Sequence, residues 1–259
     1  MKLHSIITAL SMAAALSCAG NAQAYVSFFG EDLNQSDFVP LVNTPNSSAA
    51  ETSFLQGLTQ FGTEDFENQA VGSPAPLVLN NILPGLTATL TGGSGQVFAV
   101  SPGQTDGAGR YSIGASDSSR FWRVTAGANG DFTITFNYAV SAFGFYGTDI
   151  GDFDGRLSLT PNTTTTPLLV NHSQGTATDE DNEFADSTIS GSVLFFGFIA
   201  ENDAEKFTSV KFNTTTGNGD QFGFDRFIVG TTQDIPEPAS LALFGLALAG
   251  LAFARKRTA

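Results

Sequence analysis

Strict alternation of apolar and polar residues constrains the fold of this chain more than any other feature. The segment DFTITFNY alternates over residues 131–138. Its apolar face consists of Phe132, Ile134, Phe136 and Tyr138. The 24 phenylalanines of the chain fall mostly on alternating positions, as the filling of a layer between two sheets requires. The pattern predicts an all-β domain, a single antiparallel β-sandwich of jelly-roll-like type.

About ten strands are predicted, separated by turns rich in Gly, Asn and Asp. They are 86–90, 96–100, 119–125, 131–138, 142–146, 156–160, 168–171, 192–200, 207–213 and 222–229. Residues 92–95, Gly-Gly-Ser-Gly, predict a hairpin-type turn between the first two. Residues 25–60 are poorly patterned, except that 49–58 have the spacing of a short helix. We therefore place an N-terminal lead at 25–60 and the sandwich at 61–231.

Residues 1–24 have the three parts of a secretory signal peptide. A basic start precedes an apolar run at 6–15, and Ala22 and Ala24 form an A-x-A cleavage site. The mature chain is expected to begin at Tyr25, so the apolar run is an export signal and does not belong to the fold.

The C-terminus has a second arrangement in three parts. It consists of Pro236, Glu237 and Pro238, then an uncharged apolar stretch at 239–254, then the basic residues Arg255, Lys256 and Arg257. As a helix the apolar stretch would cover about 24 Å, somewhat less than the ~30 Å of a bilayer core, although the basic side chains can reach the interface. The basic end is expected to stay cytoplasmic, which places the preceding chain across the membrane.

Residues 235–259 resemble the PEP-CTERM sorting signal of Gram-negative bacteria. The resemblance implies that a membrane-embedded exosortase reads and cleaves this segment after signal peptidase has acted at the other end. It also implies transient anchoring in the inner membrane by the C-terminal helix, then a place at the cell surface or outside the cell, in association with exopolysaccharide.

The exported part of the chain is strongly acidic and has no cysteine. The whole sequence has 11 basic and 25 acidic residues, a formal net charge of −14. Without the two terminal segments, seven basic and 24 acidic residues remain, a net charge of about −17. Such a body repels nucleic acid and anionic membranes, but neither cations nor neutral glycans. The one cysteine, Cys18, lies in the signal peptide, so no disulfide framework is expected.

Glu67 and Asp225 form one candidate calcium site. Calcium binds about six to eight oxygen ligands, and carboxylates supply such oxygens. In many lectin-like jelly rolls, a strand that opens with Phe-Glu lies beside a last strand that carries an Asp. Phe66-Glu67 and Asp225 resemble that arrangement. The alternative is that Asp225 points to solvent and pairs with Arg226 or another base.

A second candidate calcium site is the turn GTDIGDFDG. Its carboxylates are Asp149, Asp152 and Asp154. The turn lacks the EF-hand pattern, since no acid stands at the last ligand position. The alternative is a tight loop in which Asp and Gly supply the turn geometry. Apart from calcium as a structural ion, no cofactor is expected.

The sequence does not indicate an enzyme. A Ser-His-Asp site would have to use His172, the one histidine of the mature chain, and no G-x-S-x-G motif accompanies it. Two carboxylates at the separation that a glycosidase needs are expected by chance in a chain this acidic, so such a pair does not indicate an enzyme.

Three functions from different classes remain. The leading one is a non-catalytic, exosortase-sorted protein of the cell surface or extracellular matrix. The alternative is a calcium-dependent, lectin-like carbohydrate-binding module, in which Trp122 and Tyr146 would be exposed together as a stacking surface. The third is a glycoside hydrolase with an acid pair.

Overall fold

The protein is an antiparallel β-sandwich in a computed structural model, which describes residues 25–125, 127, 130–151, 155–173, 189–214 and 220–232. The strands are β1 (Tyr25–Asp32), β2 (Gln60–Glu64), β3 (Leu77–Leu83), β4 (Leu86–Thr91), β5 (Gln96–Ala99), β6 (Arg120–Thr125), β7 (Phe132–Val140), β8 (Ala142–Thr148), β9 (Leu157–Pro161), β10 (Leu168–Leu169), β11 (Val193–Ala200), β12 (Phe207–Thr214) and β13 (Gln221–Thr231). One α-helix, α1 (Pro45–Gln56), and a 3₁₀ turn at Asp203–Glu205 complete the described elements.

The strands form two sheets. The seven-stranded sheet has the order β1-β11-β8-β13-β6-β5, with β2 also paired to β13, and the six-stranded sheet has the order β10-β9-β12-β7-β4-β3. Every pairing between these strands is antiparallel, which confirms the predicted class of fold. The predicted hairpin at 92–95 is wrong, because β4 and β5 belong to different sheets and the turn crosses between them.

Phenylalanine rings fill the space between the sheets. Phe212 of the six-stranded sheet stacks on Phe132 with ring centroids 4.2 Å apart. It also meets Phe145 and Phe224 of the seven-stranded sheet edge-on at 5.4 Å. These contacts confirm that the alternating phenylalanines pack between two facing sheets.

The opposite face of the seven-stranded sheet, its outer face, is also covered. A second apolar cluster there joins α1, through Ala50 and Phe54, to Phe195 and Ile228 of the sheet. Segments 33–44 and 100–119 pack against the same cluster through residues such as Leu41 and Tyr111. We call α1 and these two segments the outer layer. Because both faces of β8 and β11 are buried, these strands are mostly apolar and do not alternate.

Two expectations from the sequence need correction. The first concerns residues 25–60, which are part of the packed molecule: β1 pairs with β11 along its whole length, and α1 lies on the sheet. The helix begins at Pro45, four residues before the predicted 49. The second concerns Tyr138, which is 38% exposed and lies within the part of β7 where the register with β12 shifts.

The seven-stranded sheet has two distinct ends. Tyr25, Ala142, Ala200 and Gly230 lie at one, which we call the terminal end. Asp32, Thr148, Val193 and Gly223 lie at the other, which we call the loop end. Connections at the terminal end are short: 57–59, 84–85, 141, 162–167 and 201–206. Three longer connections, 33–44, 149–156 and 170–192, leave the sheets at the loop end.

The predicted signal peptide, with Ala22 and Ala24, and the C-terminal segment from residue 233 onward lie outside the described residues. Among the residues that are described, no helix has the length and apolar character needed to cross a membrane.

Candidate functional site

The loop end carries a group of exposed apolar side chains directly after β1. We call this group the apolar ridge: it consists of Leu33, Phe38, Val39 and Val42. Phe38 is 73% exposed and Val42 is 90% exposed. Apolar side chains concentrated in one short segment mark a contact surface more often than single exposed ones do.

Hydrogen bonds fix the backbone of the apolar ridge. The Ser36 hydroxyl accepts from the backbone N–H groups of Phe38, at 3.3 Å, and Val39, at 3.1 Å. The Asn34 side chain donates to the Val39 carbonyl at 2.8 Å, and the Leu41 N–H donates to the Tyr111 hydroxyl at 3.0 Å. The ridge is therefore held in one shape before any partner binds, which lowers the entropic cost of binding.

A buried polar network supports the ridge from below. The Arg110 guanidinium donates to Asp106 at 2.7 Å, lies 3.5 Å from an Asp149 oxygen, and donates to the Gln221 carbonyl at 3.1 Å. Asp149 also accepts from the Gly191 N–H at 2.8 Å. The network joins three separate parts of the loop end, so each carboxylate has a structural role.

Two further contacts bind the ridge to this network. The Ser190 hydroxyl donates to the Asp37 carboxylate, and the Tyr111 hydroxyl donates to the Gly191 carbonyl at 3.0 Å. Burial raises the pKa of Tyr111 well above its ordinary value, so the phenol stays protonated and keeps its donor.

The predicted aromatic stacking surface is wrong. Trp122 is fully buried beside Phe66 and Phe132, and Tyr146 is only 2% exposed. The Tyr146 hydroxyl donates to Glu51 of α1 at 2.8 Å, and burial raises its pKa. Trp122 belongs to the core between the two sheets and Tyr146 to the cluster on the outer face, so both side chains pack inside the protein.

Glu67 binds protein donors. One of its oxygens accepts from the backbone N–H groups of Ser119, at 2.6 Å, and Arg120, at 2.7 Å. The other oxygen accepts from the Ser119 hydroxyl at 3.0 Å. The carboxylate therefore joins the loop after β2 to the start of β6.

Asp225 is also saturated with donors. It accepts from the Ser112 hydroxyl at 2.8 Å and from the N–H groups of Ile113 and Arg226, each at 2.7 Å. Burial raises its pKa well above the ordinary value, and these hydrogen bonds oppose that shift. The alternative, a solvent-facing Asp225 paired with Arg226, is wrong, since Asp225 is buried and Arg226 pairs with Glu51 at 2.6 Å.

The calcium sites remain predictions. Strand β2 pairs with β13, but Phe66 and Glu67 follow the end of β2 and do not open the strand beside Asp225. In addition, the oxygens of Glu67, Asp225 and Asp149 face N–H and O–H donors, whereas a calcium ligand must direct a lone pair at the ion. Within the described ranges, no three His, Cys, Asp or Glu residues are grouped so that they could hold a metal ion. Asp152 and Asp154 lie outside those ranges.

His172, the histidine that a Ser-His-Asp site would have to use, is buried. Its Nδ1 lies 3.0 Å from the Ser173 carbonyl, and burial lowers its pKa. The imidazole therefore has no open face toward a substrate in solution.

The sequence reasoning missed the apolar ridge, which lies in the stretch assigned to the lead. The signal was present as the run Phe38-Val39-Pro40-Leu41-Val42, too short and too interrupted for a buried element. Such a run inside an otherwise polar connection predicts either a core contact or an exposed contact surface.

Comparisons with known proteins bear on the C-terminus and on the fold. Residues 234–257 match the model of the PEP-CTERM protein-sorting motif. A search of curated protein sequences found no match. Among solved structures, the K2 cleaved adhesin domain of Lys-gingipain is similar, with 15% identity and a TM-score of 0.41 over 67% of this chain and 99% of that one.

The K3 cleaved adhesin domain of Lys-gingipain from Porphyromonas gingivalis is also similar, with 12% identity and a TM-score of 0.34. That similarity covers 65% of this chain and 98% of the other. Similarity at this level does not identify a function. The motif is the informative match: this chain carries a PEP-CTERM protein-sorting signal, which implies an exported protein that an exosortase sorts.

Proposed function

We propose that this chain is a non-catalytic protein of the cell surface or extracellular matrix of a Gram-negative bacterium, associated with exopolysaccharide. The observation that carries the proposal is the sorting motif at residues 234–257. In this proposal signal peptidase first removes residues 1–24. The exosortase then acts at Pro236, Glu237 and Pro238, and a jelly-roll-like sandwich leaves the inner membrane.

Charge limits the choice of polymer. A mature chain with a net charge of about −17 is repelled by anionic polymers and tolerates neutral ones. A neutral polysaccharide is therefore the polymer class that fits the charge of the domain best.

The apolar ridge supplies a contact surface for such a polymer. Phe38 offers an exposed ring against which the apolar face of a sugar can pack. The exposed amide residues Gln35 and Asn43 lie in the same connection and can exchange hydrogen bonds with hydroxyl groups without introducing charge.

The test is fractionation of the native cells. We expect the wild-type protein in the extracellular polysaccharide fraction, released by a glycosidase that digests that polymer. Replacement of Pro236, Glu237 and Pro238 together by alanine should retain the protein in the membrane fraction, whereas Gln233→Ala, just before the motif, should behave as wild type. Wild-type protein that stays in the membrane, or that leaves the cell without any polymer, would contradict the proposal.

A double variant, Phe38→Ser with Val42→Ser, tests the contact surface separately. We expect it to be exported normally and to lose most of its polymer association. Phe61→Ser is the matched control, since Phe61 is exposed at the terminal end of the sheet. Equal retention of all three proteins would exclude the ridge as the contact surface and leave the sorting proposal intact.

A further inference from the structure

Both ends of the folded chain lie at the terminal end of the seven-stranded sheet. Tyr25 stands opposite Ala200, and Gly230 stands opposite Ala142, which in turn lies opposite Ile199. Three strand spacings separate β1 from β13, or about 14 Å. The chain therefore enters and leaves the sandwich on one side.

The start of the fold is fixed at the first expected mature residue. The Tyr25 hydroxyl donates to the Glu205 carbonyl at 2.9 Å, and the ring meets Phe198 edge-on at 5.3 Å. The first residue that follows the predicted cleavage site is therefore already part of the terminal end.

The C-terminal tether is short as well. Pro236 is five residues beyond Thr231, the last residue of β13, and the apolar stretch begins at Ala239, eight residues beyond it. At about 3.4 Å per residue, these segments span at most roughly 17 Å and 27 Å. A tether of at most about 27 Å cannot reach the loop end, because β13, from which it leaves, has 11 residues and is itself roughly 37 Å long.

We propose that the terminal end is the membrane-facing surface of the anchored protein, and that the sandwich stands end-on above the lipid headgroups. The short connections 84–85 and 201–206 then face the bilayer, and the apolar ridge faces away from it. The acidic body is not drawn onto an anionic lipid surface, so the tether alone sets this orientation.

The orientation has a consequence for processing. The motif at Pro236 leaves the body on the side that faces the membrane-embedded processing enzyme, so the sandwich can fold fully before cleavage without hiding the motif. The loop end, with its long connections and the apolar ridge, is presented to the exterior both before and after release.

Lipid-dependent fluorescence quenching tests the proposal. Cys18→Ser removes the one native cysteine, so Gln60→Cys at the terminal end and Val42→Cys at the loop end each provide a single labelling site. The full chain, with its C-terminal segment, is placed in phosphatidylcholine vesicles that contain a nitroxide-headgroup lipid. We expect several-fold stronger quenching of the label at position 60 than of the label at position 42.

Iodide in solution provides the matched control and should quench both labels similarly, since both positions are exposed. Equal quenching by the nitroxide lipid would mean that the body lies on its side or tumbles freely, and stronger quenching at position 42 would mean the reverse orientation. Failure of the full chain to float with the vesicles would also overturn the proposal. None of these outcomes depends on whether the released protein binds a polysaccharide.

Discussion

The two faces of the seven-stranded sheet are stabilised in different ways. The face toward the second sheet is a continuous aromatic core, in which Phe143, Phe145 and Phe212 each contact several other rings. The outer face combines a smaller apolar cluster with single polar contacts, such as those of Asp225 and Tyr146. The aromatic core gains stability from area and close packing. The outer layer depends in addition on hydrogen bonds made by a few buried polar side chains.

The difference predicts how each region fails. A truncated ring in the aromatic core leaves a cavity that neighbouring rings cannot fill, and the cost is large and nearly independent of pH. A lost polar contact in the outer layer leaves a buried donor or acceptor unpaired, which costs less and, where a carboxylate is involved, varies with pH.

Phe212→Ala should have the largest effect. The ring is 1% exposed and stacks on Phe132 at 4.2 Å, so its removal should lower the free energy of unfolding by about 3–5 kcal/mol. Urea denaturation measures the change. Tyr138→Ala, on the same sheet but 38% exposed, is the control and should cost less than about 1 kcal/mol. Similar losses in the two variants would show that the aromatic core does not dominate stability.

Asp32→Ala should weaken the attachment of α1 to the sheet. The Asp32 carboxylate accepts from the N–H groups of Asn46, at 3.0 Å, and Ser47, at 2.8 Å, so it caps the helix from a neighbouring strand. The expected loss is about 1–3 kcal/mol by urea denaturation. Thr44→Ala, at the N-cap position, should cost below about 0.5 kcal/mol because its side chain caps no helical N–H group. A larger loss of stability in Thr44→Ala than in Asp32→Ala would show that Thr44, and not Asp32, caps the helix.

Glu67→Gln tests whether this carboxylate acts through protein donors or through calcium. The amide oxygen can still accept from the N–H groups of Ser119 and Arg120, but the charge that strengthens these hydrogen bonds is lost, so the expected loss is about 0.5–1.5 kcal/mol. The loss should be the same in EDTA and in millimolar calcium chloride, by thermal and urea unfolding. Asp65→Asn, an exposed neighbour, is the control. A larger loss in calcium would restore the calcium site that the sequence predicts.

Asp225→Asn should change how the free energy of unfolding varies with pH more than it changes the free energy of unfolding at any one pH. Burial raises the pKa of Asp225 in the folded protein, so this group favours folding at pH values below its unfolded pKa, and that contribution is lost as the pH rises through the folded pKa. Asparagine does not ionise, so the stability of the variant relative to wild type should improve as the pH rises from about 4 to about 8.

Urea midpoints across that range measure the trend, and Asp203→Asn, which alters an exposed carboxylate, controls for net charge. A constant difference between Asp225→Asn and wild type would mean that the three donors to Asp225 outweigh its burial.

Most strands could be predicted because either an alternating pattern or, in β8 and β11, a continuous apolar run marks them directly in the sequence. The predictions for β4, β6, β7, β8, β9, β11, β12 and β13 fall within a few residues of the observed bounds. Strand β1 could not be predicted from its pattern, since both of its faces are partly covered and its residues do not alternate. The helix start was misplaced because Asp32, a residue distant in sequence, replaces a local cap.

The candidate functional site was less predictable from the sequence than the strands were. The sequence alone identified the sorting motif, because a linear signal is read as a peptide and needs no folded neighbours. It did not identify the apolar ridge, and it mistook Trp122 and Tyr146 for exposed rings. Tyr146 is buried because residues 33–56 and 100–119 cover its face of the sheet, whereas Trp122 is buried because it faces the second sheet.

By itself, then, the sequence determined the class of fold, the exported and sorted fate, and the acidic character of the body, because periodicity, linear signals and charge are properties of the chain in order. Only the tertiary structure decided that the outer face of the sheet is buried, that Glu67 and Asp225 bind backbone donors, and that both termini share one end. These depend on contacts between residues more than 50 positions apart, whose pairing arises from the packing of whole layers.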